Sequence, residues 1–99
     1  MLAVLGLALA SSCHGGPARE PTGADLTRRL GCFACHALED RGGKIAAPLD
    51  GSGSRFSRQD LHVLLTYPRR WHPGAKMPSY AYLPAAEREA LADFLQTLK

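Results

Sequence analysis

The stretch Cys32-Phe33-Ala34-Cys35-His36 constrains this chain more than any other. Two thiols at this spacing can add across the two vinyl groups of one haem. The histidine that follows is then set beneath the ring, where a ring nitrogen can bind the iron. Other chemistries use similar residues. A thioredoxin-like redox pair wants a preceding strand in an α/β setting, and none is visible before Cys32. A structural zinc site wants four ligands. Cys13, His14, Cys32 and Cys35 supply four in principle, but they straddle a segment that reads as a cleavage zone. Haem attachment is therefore the expectation.

With 99 residues the chain holds one domain at most. It is 45% hydrophobic, but part of that count sits in the first ten residues. The core that remains is small, and small domains are marginal without staples, metals or partners. A haem would give such a core a large apolar disc to close around. The formal net charge of +3 is spread along the chain. Arg28-Arg29 and Arg69-Arg70 are too short to argue for DNA or RNA, so no nucleic-acid partner is expected. Mild basicity suits acidic partners or anionic lipid surfaces.

Leu2 to Ala10 is almost wholly apolar and is followed by Ser11 and Ser12. The run is too short to span a membrane. Residues 1–12 read as a secretion signal, although no positive residue precedes the apolar run. A buried N-terminal helix or strand is the alternative. The run, the small residues and Cys13 also resemble a bacterial lipoprotein signal, in which the cysteine becomes the lipidated first residue. Ala10 stands where leucine is favoured in such signals. Cleavage nearby, an uncleaved anchor or a free or intermolecularly paired thiol are the other fates open to Cys13. Residues 13–21, rich in Gly and Pro, read as a flexible tether.

Thr22 with Asp25 three residues on resembles a capping box, and the helix behind it should run from about Gly23 to Leu30, stopped by Gly31. Ser57 with Asp60 repeats the signal, backed by Leu61, Leu64 and Leu65 and ended near Tyr67 by Pro68. Pro84 suits the first turn of a last helix, whose apolar stripe is Leu91, Phe94, Leu95 and Leu98. Residues 39–55 and 69–82, rich in Gly, Pro and aromatics, read as irregular loops. Long structureless loops are unusual in so small a domain. They make sense if both wrap a cofactor.

In this order of features, residues 22–99 resemble the class I cytochromes c. The helix ends at Gly31-Cys32 and the CxxCH follows at once. Gly42-Gly43 and Pro48, a middle helix, Met77-Pro78-Ser79-Tyr80 and an amphipathic last helix come next. The resemblance implies an all-α cytochrome c fold, with three main helices and long loops around one covalent haem c. It implies His36 and Met77 as axial ligands, and Pro48 as the residue whose carbonyl accepts a hydrogen bond from the ligating histidine. It also implies that Gly23 and Phe94 mark a close contact between first and last helices. Two departures concern packing: Ala47 stands where a glycine usually precedes the loop proline, and Thr27 or Leu26 where an aromatic is common.

Met77 has support outside the resemblance. A thioether is a soft ligand that raises the potential, and the only other methionine is Met1. A methionine filling a core gap is the plain alternative. His72 is the rival ligand, with His62 and His14 further behind. Tyr67, Trp71, Tyr80 and Tyr82 crowd near Met77 and can exclude water from a haem. Arg55, Arg69, Arg70 and Lys76 are candidates to pair with haem propionates.

No catalytic set is apparent. The expected activity is one-electron transfer between redox proteins at the periplasmic or outer face of a bacterial membrane, with a lipidated Cys13 as a possible anchor. Quinol-oxidising complexes, terminal oxidases or reductases and other cytochromes are the partners the resemblance implies. A haem enzyme or gas sensor with a labile distal ligand is one alternative. A thiol-redox or structural protein without haem is the other.

Overall fold

The computed structural model describes Ala3, Gly6 and residues 19–99. Cys13, His14 and nearly all of the expected signal and tether lie outside the described residues. Among the described residues no helix is long and apolar enough to cross a membrane.

The three main helices are α1 (Gly23–Arg29), α3 (Arg58–Thr66) and α5 (Ala85–Thr97); two single turns, α2 (Ser52–Arg55) and α4 (Pro68–Trp71), lie between them. Both capping boxes form. The Thr22 hydroxyl accepts the Asp25 N–H at 3.1 Å, and the Asp25 carboxylate accepts the Thr22 N–H at 3.0 Å. Ser57 and Asp60 exchange the same two bonds, each 3.0 Å. These bonds satisfy N–H groups that a helix start leaves without partners. Pro84 is the residue before α5 rather than inside its first turn.

The segments expected to be irregular hold more structure than their composition suggests. β1 (Ala37–Leu38) and β2 (Arg41–Gly42) form an antiparallel hairpin, with Ala37 opposite Gly42 and Leu38 opposite Arg41. Its two-residue turn, Glu39-Asp40, has both φ angles positive, 51° and 63°. Asn-Gly is the usual signal for such a turn, so the turn does not announce itself here. The Asp50 carboxylate holds it by accepting the Glu39 N–H at 3.1 Å. In the second segment Pro68 does more than end α3. It is the first residue of α4, where its fixed φ fits and no N–H is needed.

α1 and α3 both pack on α5, and the core between them is built on Leu26, Leu61, Leu65, Leu91, Ala92 and Leu95. At Gly23 the backbones come so close that a Cβ would run into the Ala90 carbonyl and the Phe94 Cβ. The contact expected between first and last helices is therefore present. α2 is bound to the end of α5. The buried Ser52 hydroxyl donates to the Leu95 carbonyl at 2.7 Å, and the Gly53 N–H donates to the Leu98 carbonyl at 2.8 Å. The two connecting segments meet across a cavity, which residues 45–47 of the first and His72 to Tyr80 of the second help to line.

Candidate functional site

Gly31, at φ 76°, turns the chain out of α1 into a short 3-10 turn, Cys32–Ala34. The Cys32 carbonyl accepts both the Cys35 N–H at 3.2 Å and the His36 N–H at 2.9 Å. That tight turn brings Cys32, Cys35 and His36 to one wall of a cavity. Cys32 and Cys35 are free thiols.

The His36 ring is fixed by its own loop. Nδ1 lies 2.6 Å from the Ala47 carbonyl oxygen. A carbonyl can only accept, so Nδ1 carries the proton and Nε2 keeps a free lone pair, the state a metal-ligating histidine requires. The expected acceptor was the Pro48 carbonyl, and the structure corrects this by one residue. Ala46 N–H to the Cys35 carbonyl (2.9 Å) and Leu49 N–H to the Ala37 carbonyl (2.8 Å) hold this loop against the motif. The Pro48 carbonyl is drawn the other way and accepts from Arg55 Nη2 at 2.9 Å.

Two adjoining cavities, of about 540 and 300 Å³, make a slot between the connecting segments. His36, Ala47, His72 and Met77 line both, so they stand where the two lobes meet. Cys32, Cys35, Lys76 and Tyr80 belong to the larger lobe. Pro48, Arg55 and Trp71 belong to the smaller one. Trp71 packs edge-on against Phe56, with ring centroids 5.6 Å apart. Tyr67 lines neither lobe. As the residue capping α3 it points outward, half exposed, with the Arg70 guanidinium 4.4 Å from its ring centroid, while Pro68 takes the buried position. Arg69 and Arg70 line neither lobe either. Residue type did not reveal that Ile45 and Ala46 wall the larger lobe.

Burial governs the ionisable groups of the larger lobe. It pushes the Tyr80 phenol up to about 12, with the neighbouring Cys32 adding to the shift. Burial also pushes the Cys32 thiol up. Reactive redox cysteines show the opposite shift, because the thiolate is their nucleophile. Among the described residues no three His, Cys, Asp or Glu side chains gather as a metal-ion site would need.

Two thiols, an imidazole with a free Nε2 and a thioether thus converge on an apolar slot of the volume range that cofactors occupy. That donor set fits a haem held through two sulfurs with an imidazole available to its iron, and it defines the class as a small helical protein with covalent haem. The family model for cytochrome c matches residues 20–99, and the chain belongs to the cytochrome c family. Membership brings covalently bound haem c and haem-based electron transfer. A chain of the crystal structure of SoxXA from P. pantotrophus has a similar fold, with a TM-score of 0.69 and 22% identity, over 83% of this chain and 85% of that one. No curated protein matches.

Proposed function

We propose that this protein is a one-electron carrier whose single haem c is bound through Cys32 and Cys35 and ligated by His36 and Met77. The observation that carries the proposal is the convergence of all four side chains on one slot, with His36 Nδ1 committed to the Ala47 carbonyl. The iron of a bound haem alternates between ferric and ferrous states and so supplies the one-electron chemistry. His36 presents Nε2 in the correct tautomer without reorganising. Met77, beside Pro78 at the junction of the lobes, supplies a soft sulfur that favours the reduced state. Tyr80 and Trp71, one in each lobe, keep water from the ring. If His36 and Met77 both hold the iron, a bound haem would offer no open site to substrate, which favours a carrier over an enzyme.

The carrier works outside the cytoplasm, in the periplasm or on the outer face of a bacterial membrane, where residues 1–12 direct it and a lipidated Cys13 can anchor it. It exchanges electrons with a quinol-oxidising complex, a terminal oxidase or reductase, or another cytochrome. Denaturing electrophoresis with a haem stain, joined to an absorption spectrum, tests the core of this. The carrier shows stain after denaturation and a low-spin spectrum with a weak far-red methionine–iron band when oxidised. Met77→Ala lowers the reduction potential and leaves attachment intact. Absence of stain refutes the haem assignment, and a high-spin native protein that binds CO readily refutes the carrier assignment.

A further inference from the structure

We propose that His72 is a positioning residue of the slot, donating from Nε2–H to a carboxylate of the bound group, a haem propionate, and not an iron ligand. This rests on the haem reading above.

Two histidines, His36 and His72, line both lobes, and the backbone gives them opposite tautomers. His36 Nδ1 faces a carbonyl and must carry the proton. His72 Nδ1 lies 3.2 Å from the backbone N–H of Gly74. An N–H can only donate, so Nδ1 must offer its lone pair. In a neutral ring the proton then sits on Nε2. That ring has no free lone pair left for iron. To ligate through Nε2 it would have to move the proton to Nδ1, where it would point at the Gly74 proton and lose the bond.

The loop is built to keep the first arrangement. The Ala75 N–H donates to the His72 carbonyl at 2.9 Å and closes the turn around the ring. Gly74 lies beside the Nδ1–Cε1 edge, and a Cβ there would be in ordinary contact with Cε1 at 3.5 Å. Of the two ring nitrogens Nε2–H is then the one free to donate, and the exposed ring that carries it lines both lobes.

The rest of the lining says which acceptor. Arg55 stands in one lobe and Lys76 in the other, with His72 at their junction, and among the described residues no Asp or Glu lines either lobe. Donors of this kind, with no acid to pair them, suit a carboxylate. Because the slot holds none of its own, the carboxylate comes with the bound group.

The test compares the haem-loaded wild type with His72→Ala and His72→Gln, the glutamine placing an amide N–H near the position of Nε2–H. The expected outcome is unchanged attachment and a low-spin spectrum in all three. Nitrogen-15 NMR of the wild type should put the His72 proton on Nε2. The alanine variant should have a lower reduction potential, because a propionate with one donor fewer keeps more negative charge and favours the oxidised iron. Glutamine should restore most of the fall. An unchanged potential in the alanine variant, or a fall that glutamine does not restore, overturns the donor role. A high-spin alanine variant makes His72 the iron ligand and overturns it too, as does a proton on Nδ1. A wild type without covalent haem overturns the proposed function as well, so the two failures are distinguishable.

Discussion

Gly23→Ala sets two physical rules against each other. Gly23 is the first residue of α1, and alanine is the better helix former by up to about 1 kcal/mol. Local propensity therefore predicts a more stable protein. Packing predicts the reverse. The added Cβ would fall far inside the 3.4 Å of an ordinary contact with the Ala90 carbonyl oxygen and the Phe94 Cβ, and 3.0 Å from the Ala90 carbonyl carbon. Two of these atoms are helix backbone and the third is the first carbon of a side chain, so none can swing aside. α1 and α5 must part by on the order of 1 Å, which loosens Leu26, Leu91 and Ala92, all almost wholly buried in the same core. Overpacking of this kind costs typically 1–3 kcal/mol. Because the obstacle is backbone, the net loss should be about 2–4 kcal/mol, or roughly 10–30 °C in Tm for a domain this size. Gly51→Ala is the control. Gly51, before α2 and outside the slot lining, has φ 74° but nothing within 4 Å, so it should lose only the left-handed strain, about 1 kcal/mol. Thermal unfolding of the haem-loaded proteins, followed by far-ultraviolet circular dichroism, gives both numbers. A Gly23→Ala protein as stable as wild type, or less damaged than Gly51→Ala, would falsify the close-packing account.

Two further outcomes follow from single contacts. Ser52→Ala removes the buried hydroxyl that donates to the Leu95 carbonyl and should cost about 1–3 kcal/mol in urea unfolding. Ser54→Ala, one turn position away and exposed, should change little, and equal losses from the two would dismiss the α2–α5 tie. The Asp25 carboxyl is held below its usual 3.8 first by the Thr22 backbone N–H, then by the Thr22 hydroxyl, with Arg28 adding. A depressed folded pKa means stabilisation that is complete above the unfolded value and is lost as pH falls through the folded one. The stability gap between wild type and Asp25→Asn should therefore hold at neutral pH and close as pH drops below 3.8. A gap that stays constant through that range would mean the carboxylate charge contributes nothing.

How far the fold could be read in advance depends on how local its causes are. The starts of α1 and α3 were legible because a capping box is written in four residues, Thr22 to Asp25 and Ser57 to Asp60. The Gly23 approach to Phe94 was visible only through family likeness, since nothing near Gly23 in the chain mentions α5. The hairpin was not legible, because Glu39-Asp40 lacks the glycine that usually completes such a turn and the group that steadies it, Asp50, lies eleven residues from Glu39. The Ala47 carbonyl in place of that of Pro48 escaped for a similar reason. Which carbonyl faces His36 is decided by loop bonds from Ala46 and Leu49 and by the pull of Arg55. Tyr67 misled because an aromatic before a proline says nothing about which of the two will be buried.

The slot owes its shape to the way both connecting segments are tied down. The first is stitched to the motif by the Gly43 N–H on the Phe33 carbonyl, and by the bonds from Ala46 and Leu49. Gly43 itself leaves no space for a side chain beside Ala34. The second is tied to the end of α3 by the Tyr80 N–H on the Leu65 carbonyl, 2.8 Å, and by the Ser79 hydroxyl on the Thr66 carbonyl, 2.6 Å. None of these bonds involves the side chains that face the slot. The walls are thus held chiefly by main chain and by α3, with the His36 and His72 rings adding one bond each within their own loops. Haem-based electron transfer gains from that arrangement. It is fast when little moves between the two redox states, and walls fixed from behind give the groups in the slot little freedom to move. The same arrangement explains why a change at an exposed residue on the slot face, such as His72→Ala, should alter potential more than stability, whereas Gly23→Ala should do the opposite.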